Sequence, residues 1–156
     1  MVVVVAIAGP AAERDAMATL LTRTLTGRGR RVAVIAASEG PLAIDEPGKD
    51  SYEHAAAGAR DVVVVSGRRW ARIHRNDPPE PPRPAALAAL AENADVVLAL
   101  GFDDHAPPRL TLERGPEGET GTGLRVLAED GRGPGFHLDN PEAIADLIER
   151  LSEERA

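Results

Sequence analysis

Cysteine is absent from all 156 residues, which excludes disulfides, thiolate metal sites and a cysteine nucleophile. Lysine is nearly absent: Lys49 is the single one, and every other basic side chain apart from four histidines is arginine. Aromatic residues make up only 3% of the chain. No long hydrophobic run occurs either. The apolar stretch at residues 2–8 is far too short to span a bilayer and lacks the basic flank of a secretion signal, so a cytoplasmic protein is expected. Positive charge is in deficit, with a net charge of −7. That balance argues against a nucleic-acid interface, because neutralising phosphates requires clustered cations. The nearest approach to a cluster is Arg68, Arg69, Arg72 and Arg75, beside the proline-rich, acidic stretch 77–84.

A hydrophobic content of 43% over 156 residues suffices for one core, and a single domain over 1–156 is the expectation. Residues 2–8 (VVVVAIA) are apolar on both faces, the pattern of a central parallel strand, and end at Gly9-Pro10. Met17, Leu20, Leu21 and Leu25 then recur at helical spacing over 10–28, with Gly27 and Gly29 as stop signals. A second strand follows at 31–37 (RVAVIAA), giving a strand, helix, strand unit and hence an α/β fold. Residues 61–66 (DVVVVS) and 95–100 (DVVLAL) repeat the buried-strand pattern, and a helix over 84–93 feeds the second. Further on, 109–113 alternates like an edge strand, 115–123 is a glycine-rich loop and 124–127 reads as another short strand. An amphipathic helix over 143–151 closes the chain, entered through Asp139, Asn140 and Pro141.

The loop after the first strand is where an α/β protein of this kind would carry a phosphate-binding P-loop, with two glycines bracketing four residues before Lys and Ser or Thr. Residues 9–16 (GPAAERDA) keep Gly9. Arg14 stands in place of the second glycine, Asp15 in place of the lysine and Ala16 in place of the magnesium-binding hydroxyl. Exchanging the lysine for a carboxylate turns attraction for phosphate into repulsion. Glu13 and Asp15 instead put negative charge in the first turns of the helix, where its dipole favours it, so a capped helix start without a ligand explains the stretch.

Residues 45–59 (DEPGKDSYEHAAAGA) are the most informative stretch. Pro47-Gly48 makes a turn, Asp50 with Glu53 fits a capping box, and the short helix stops at Gly58. Capping leaves Lys49 unexplained. A compact ammonium beside Asp50, Ser51 and His54 suits an anionic ligand, a shared polar network or the ordering of a loop.

The run D-x-P-G-K-D-S-x-x-H-x-x-A-G-A from Asp45 to Ala59 is preceded by R-G-x-R-V-A-V-I from Arg28 to Ile35 and followed by D-V-V-L-x-x-G-F from Asp95 to Phe102. Together with the apolar strand ending at Arg114, these resemble the MobB family of molybdopterin-guanine dinucleotide biosynthesis. The matched core is residues 1–114, with glycine-rich loops and the last helix in 115–156. The resemblance implies a P-loop NTPase-like, three-layer α/β domain with a mostly parallel sheet and an antiparallel edge region. It also implies a homodimer, GTP with magnesium, weak hydrolysis, and partnership with the guanylyltransferase of molybdenum cofactor synthesis or with a molybdoenzyme.

The departures fall where nucleotide chemistry lives: the P-loop residues, Ala36 and Ala37 where the family has lysine and histidine, and Leu100 where it has glutamate. A non-hydrolysing adaptor is therefore the expected role, with a weak GTP-binding protein using a rearranged site as the alternative. Gly9, Lys49, Asp50 and Ser51 are the candidate nucleotide contacts, Asp45 and His54 the candidate polar network or partner contact. No catalytic residue and no metal ligand is assigned. Asp103, Asp104 and His105 carry a third reading, ligand or metal binding at the sheet's carboxyl end, against a solvated acidic loop. Trp70 among its arginines reads either as a partner or anion surface or as packing at an edge.

Overall fold

The computed structural model describes residues 2–38, 40, 44, 46–76, 82–102, 109–114, 124–128, 136–137 and 140–153. In chain order its elements are β1 (Val3–Ala8), α1 (Ala11–Gly27), β2 (Val32–Ala36), α2 (Asp50–Ala56), β3 (Asp61–Ser66), β4 (Arg69–His74), α3 (Pro84–Ala88), β5 (Val96–Leu100), β6 (Arg109–Arg114), β7 (Leu124–Ala128), β8 (Phe136–His137) and α4 (Pro141–Glu153). They form two compact units: Met1–Ala37 with Arg83–Ala156, and Ser38–Pro82.

The larger unit is built on a six-stranded sheet in the order β2-β5-β1-β6-β7-β8. Its first four strands run parallel, and β7 and β8 add antiparallel to that end. Every residue of β5 is buried, as a strand flanked by parallel neighbours and covered on both faces requires. One face carries Val5, Ile7, Leu98 and Leu110, packed under Met17, Leu21 and Leu25 of α1 and under Ile144 and Ile148 of α4. Helix α3 packs against β1 and β2.

Ion pairs tie the ends of these elements together. Arg31 at the head of β2 grips Asp95 at the head of β5: its guanidinium meets one carboxylate oxygen at 2.7 Å and its backbone amide donates to the other at 2.8 Å. These bonds hold the Asp95 carboxyl well below the usual carboxylate range. Arg28, just past the carboxyl end of α1 where a cation suits the helix dipole, reaches Glu142, Asp146 and Glu149 of α4. Arg30 also binds Glu149 at 2.8 Å and, with Arg28, lowers its pKa. Asn140 caps α4, its side-chain oxygen accepting from the Ala143 amide at 3.1 Å.

The smaller unit is the β3-β4 hairpin with α2 packed against β3. The strands pair from Asp61 opposite His74 to Ser66 opposite Arg69, leaving Gly67-Arg68 as a two-residue turn in which Gly67 takes a positive φ of 39°.

Several sequence expectations need correction. Residues 61–66 do not form a buried strand of the main sheet; β3 belongs to the hairpin, and Val63, Val64 and Val65 are 57, 47 and 74% exposed. A run of valines looks the same whether helices cover it or solvent does, and the arginines of its partner β4 (RWARIH) disguise the strand character of that segment. Nor is β6 an edge strand: it lies between β1 and β7, with Leu110 and Leu112 buried, because its alternation reflects one face in the core. The helix expected over 84–93 ends at Ala88. Lys49, not Asp50, takes the N-cap place of α2, and no side-chain capping bond forms there among the described residues, so Asp50 and Glu53 do not make a capping box. The 115–123 loop lies outside the described residues, as does most of the proline-rich stretch.

Among the described residues no helix is long and apolar enough to cross a membrane.

Candidate functional site

The carboxyl ends of β1, β5 and β2 meet the start of α1, the place where open α/β sheets bind ligands. Gly9 ends β1 with φ at 133°. A Cβ there would lie 2.8 Å from the Leu112 Cβ and 3.1 Å from its carbonyl oxygen, so the close approach of β6 alone requires glycine. Helix α1 starts with Pro10 at the N-cap, whose carbonyl accepts from the Arg14 amide at 2.9 Å; no side chain caps this end among the described residues. Glu13 supplies the negative charge of the first turn.

Arg14 turns inward. Its side chain is 15% exposed, and its Nε lies 3.8 Å from an Asp15 carboxylate oxygen without a hydrogen-bond partner among the described residues. One terminal nitrogen sits 3.2 Å from where a Cβ on Gly101 would be, with Ala37 alongside. The absence of a side chain at Gly101, with φ at 75°, makes room for that guanidinium. Asp15 points out and is 66% exposed.

Gly9 belongs to the larger unit; within the smaller unit Lys49, Asp50, Ser51 and His54 lie together at the start of α2. The Lys49 ammonium is engaged locally, 3.5 Å from the Glu46 carboxylate and 3.4 Å from the Ile44 carbonyl. Asp50 and His54 are exposed, one helical turn apart. Ser51 has an interaction partner of its own. Asp45 lies outside the described residues, and so do Asp103, Asp104 and His105. Among the described residues no group of three or more histidines and carboxylates is placed to hold a metal ion.

Sequence reasoning singled out Trp70 among its arginines but missed two features. One is that Val63 and Val65 stand beside Trp70 on one exposed face of the hairpin, with Trp70 67% exposed. On the same face the Asp61 carboxylate accepts from Arg72 Nε at 2.7 Å and meets His74 Nδ1 at 2.9 Å, contacts that lower its pKa. The alternation of β4 and the Gly67-Arg68 turn were the signals that would have found it. The other is a groove beside α1, which follows from strand order and has no signature in the sequence.

The sequence profile of molybdopterin guanine dinucleotide synthesis protein B matches residues 4–126. A molybdopterin-guanine dinucleotide biosynthesis adapter protein of Escherichia coli is 32% identical over 96 residues, covering 60% of this chain and 55% of that one. Its Haemophilus influenzae counterpart is 34% identical over 90 residues, covering 58% and 51%. The chain thus spans about half the length of the curated relatives it matches. A crystal structure of molybdopterin-guanine biosynthesis protein B superimposes with a TM-score of 0.66 at 25% identity, covering 97% of this chain and 99% of that one. Bacillus subtilis MobB has the same fold, with a TM-score of 0.66 at 19% identity over 94% of this chain and 96% of that one. With the profile spanning most of the chain, the protein belongs to the MobB family.

Proposed function

We propose that the chain is a non-hydrolysing accessory protein of molybdenum cofactor maturation, a single MobB-like domain in functional terms, acting in the cytoplasm by association with a guanylyltransferase or a molybdoenzyme. The observation that carries this is the occupation of the crevice at the head of α1 by the chain's own Arg14, in a fold whose relatives are named adapter proteins.

The residues at that loop do not fit a magnesium-bound triphosphate. Such a ligand needs consecutive free amides, a lysine and a hydroxyl on the metal. Here Arg14 fills the space, Asp15 presents a carboxylate and Ala16 has no oxygen. We read the loop as a degenerate P-loop and route no step through GTP or magnesium.

A homodimer accompanies this reading, with the outer hairpin face as its contact. Val63, Val65 and Trp70 expose an apolar patch in water, and Arg72 is already neutralised by Asp61, so two copies can meet there without charge repulsion.

The test is co-purification of the tagged chain with a guanylyltransferase and with a molybdoenzyme, together with its mass in solution. Capture of either partner with no GTP turnover is the expected result; capture of neither would sink the proposal. The rival, weak GTP affinity through Lys49, is disfavoured by the local engagement of that ammonium. It is tested by calorimetry on wild type and Lys49→Ala: GTP binding that disappears in the variant would reinstate it.

A further inference from the structure

The β3-β4 hairpin has two unlike faces. Val62 and Ile73, a cross-strand pair, are its half-buried residues, so α2, which packs on β3, covers the face they occupy. The opposite face holds three cross-strand pairs in order, Asp61 with His74, Val63 with Arg72 and Val65 with Trp70, and all six residues are exposed. The three rungs span about 14 Å. A stable contact between copies covers about 800 Å² on each side, a patch roughly 30 Å across, so one centred on Val65 and Trp70 reaches His74. A two-stranded ribbon left open on one face is marginal in water, and a second copy supplies the missing cover.

The charges on this face balance only while His74 is neutral. One oxygen of the Asp61 carboxylate serves both neighbours: Arg72 Nε donates to it at 2.7 Å, and His74 Nδ1 lies 2.9 Å away. Because a carboxylate oxygen accepts, Nδ1 carries the hydrogen in that contact, which leaves Nε2 as the position that gains or loses a proton. With Nε2 unprotonated, Asp61 and Arg72 cancel. With it protonated, two cations share one carboxylate, and each copy brings the same excess of positive charge to an isologous contact. Arg60 and Arg75 flank the pair, the Arg75 amide donating to the Arg60 carbonyl at 3.0 Å, and compound that excess. Lys49, Asp50, Tyr52, Glu53 and His54 belong to α2, on the covered face. An uncompensated charge costs far more buried than in water, so the proton and the contact compete.

We propose that His74 is a proton-operated gate on the homodimer: neutral His74 lets two hairpins close face to face, and a proton on each His74 drives them apart. Histidine is the side chain whose charge changes between about pH 5 and 8. Asp61, held below the usual carboxylate range by Arg72 and His74, stays ionised throughout that window. This inference rests on the homodimer reading of that face and adds what controls it. Two histidines per dimer, each losing a proton on association, raise the dissociation constant by up to about a hundredfold per pH unit on the acid side. The dimer is the form at neutral and alkaline pH, the monomer the form in mild acid.

The experiment is sedimentation velocity of the full chain over a concentration series at pH 7.5 and 5.5, with Trp70 emission as a second readout and circular dichroism as the check on folding. The wild-type dissociation constant should rise at least about tenfold from the higher pH to the lower. His74→Asn, whose amide can still donate to Asp61 but takes no proton, should dimerise equally at both. His74→Arg, permanently charged, should dimerise weakly at both. Wild-type dimerisation that is independent of pH or tighter at pH 5.5, or a pH response that survives in His74→Asn, overturns the gate and leaves the dimer standing. A chain that stays monomeric at every concentration and both pH values overturns the dimer reading and the gate with it.

Discussion

Gly9→Ala probes whether the glycine at the head of α1 serves packing or phosphate. In the structure a Cβ at position 9 would meet Leu112 at 2.8 Å, with the carbonyl of that residue at 3.1 Å, and φ there is 133°. Backbone strain for a side chain at positive φ costs about 1–3 kcal/mol. Overpacking against a strand that is paired on both sides adds about 1–3 kcal/mol. Together they give a loss of about 2–6 kcal/mol, centred near 4, and for a chain of this size each kcal/mol lowers Tm by about 2–4 °C. Gly29→Ala is the internal control: φ is 82° and nothing lies within 4 Å of its Cβ, so only the strain remains. Thermal unfolding followed by circular dichroism should place Gly9→Ala about 8–16 °C below wild type for the central value and clearly below Gly29→Ala. Equal losses in the two variants would refute the packing argument.

Asp95→Asn should lower Tm at neutral pH by loosening the Arg31 clamp between β2 and β5. Because the folded-state pKa of Asp95 is depressed, its contribution is present above the ordinary carboxylate value of about 4 and is lost as pH falls below it. The Tm gap between variant and wild type should therefore narrow toward pH 3, and a gap independent of pH would contradict the clamp. Leu21→Ala and Ile148→Ala, each 0% exposed between α1, α4 and the sheet, should each cost about 2–5 kcal/mol in denaturant unfolding, whereas a value under 1 would mean the core is packed differently. Trp70 is the sole tryptophan, so its emission reports on the hairpin alone. It should shift to shorter wavelength as protein concentration rises, and Trp70→Ser should hold the chain monomeric in light scattering with Tm nearly unchanged.

The sequence by itself determined the α/β class, the central strand, α1, β5 and the closing helix. Those elements carry their burial in local pattern: residues 3–8 and 96–100 are apolar on both faces because both faces are covered, and α1 keeps its leucines at helical spacing. It also determined that the head of α1 lacks a lysine and a hydroxyl, since residue identity alone settles that, and its wording from Asp45 to Ala59 pointed to the family. Strand order was beyond it. Hydrophobic pattern records how much of a strand is covered but not by what, so the valines of β3 read as sheet interior when they face solvent in a hairpin, and β6 read as an edge when it is inserted between β1 and β7. Tertiary structure alone decided that Arg14 folds into the crevice beside Gly101 and that Gly9 is required by Leu112 a hundred residues away. Each is a contact between residues distant in the chain, fixed by how the strands are ordered across the sheet.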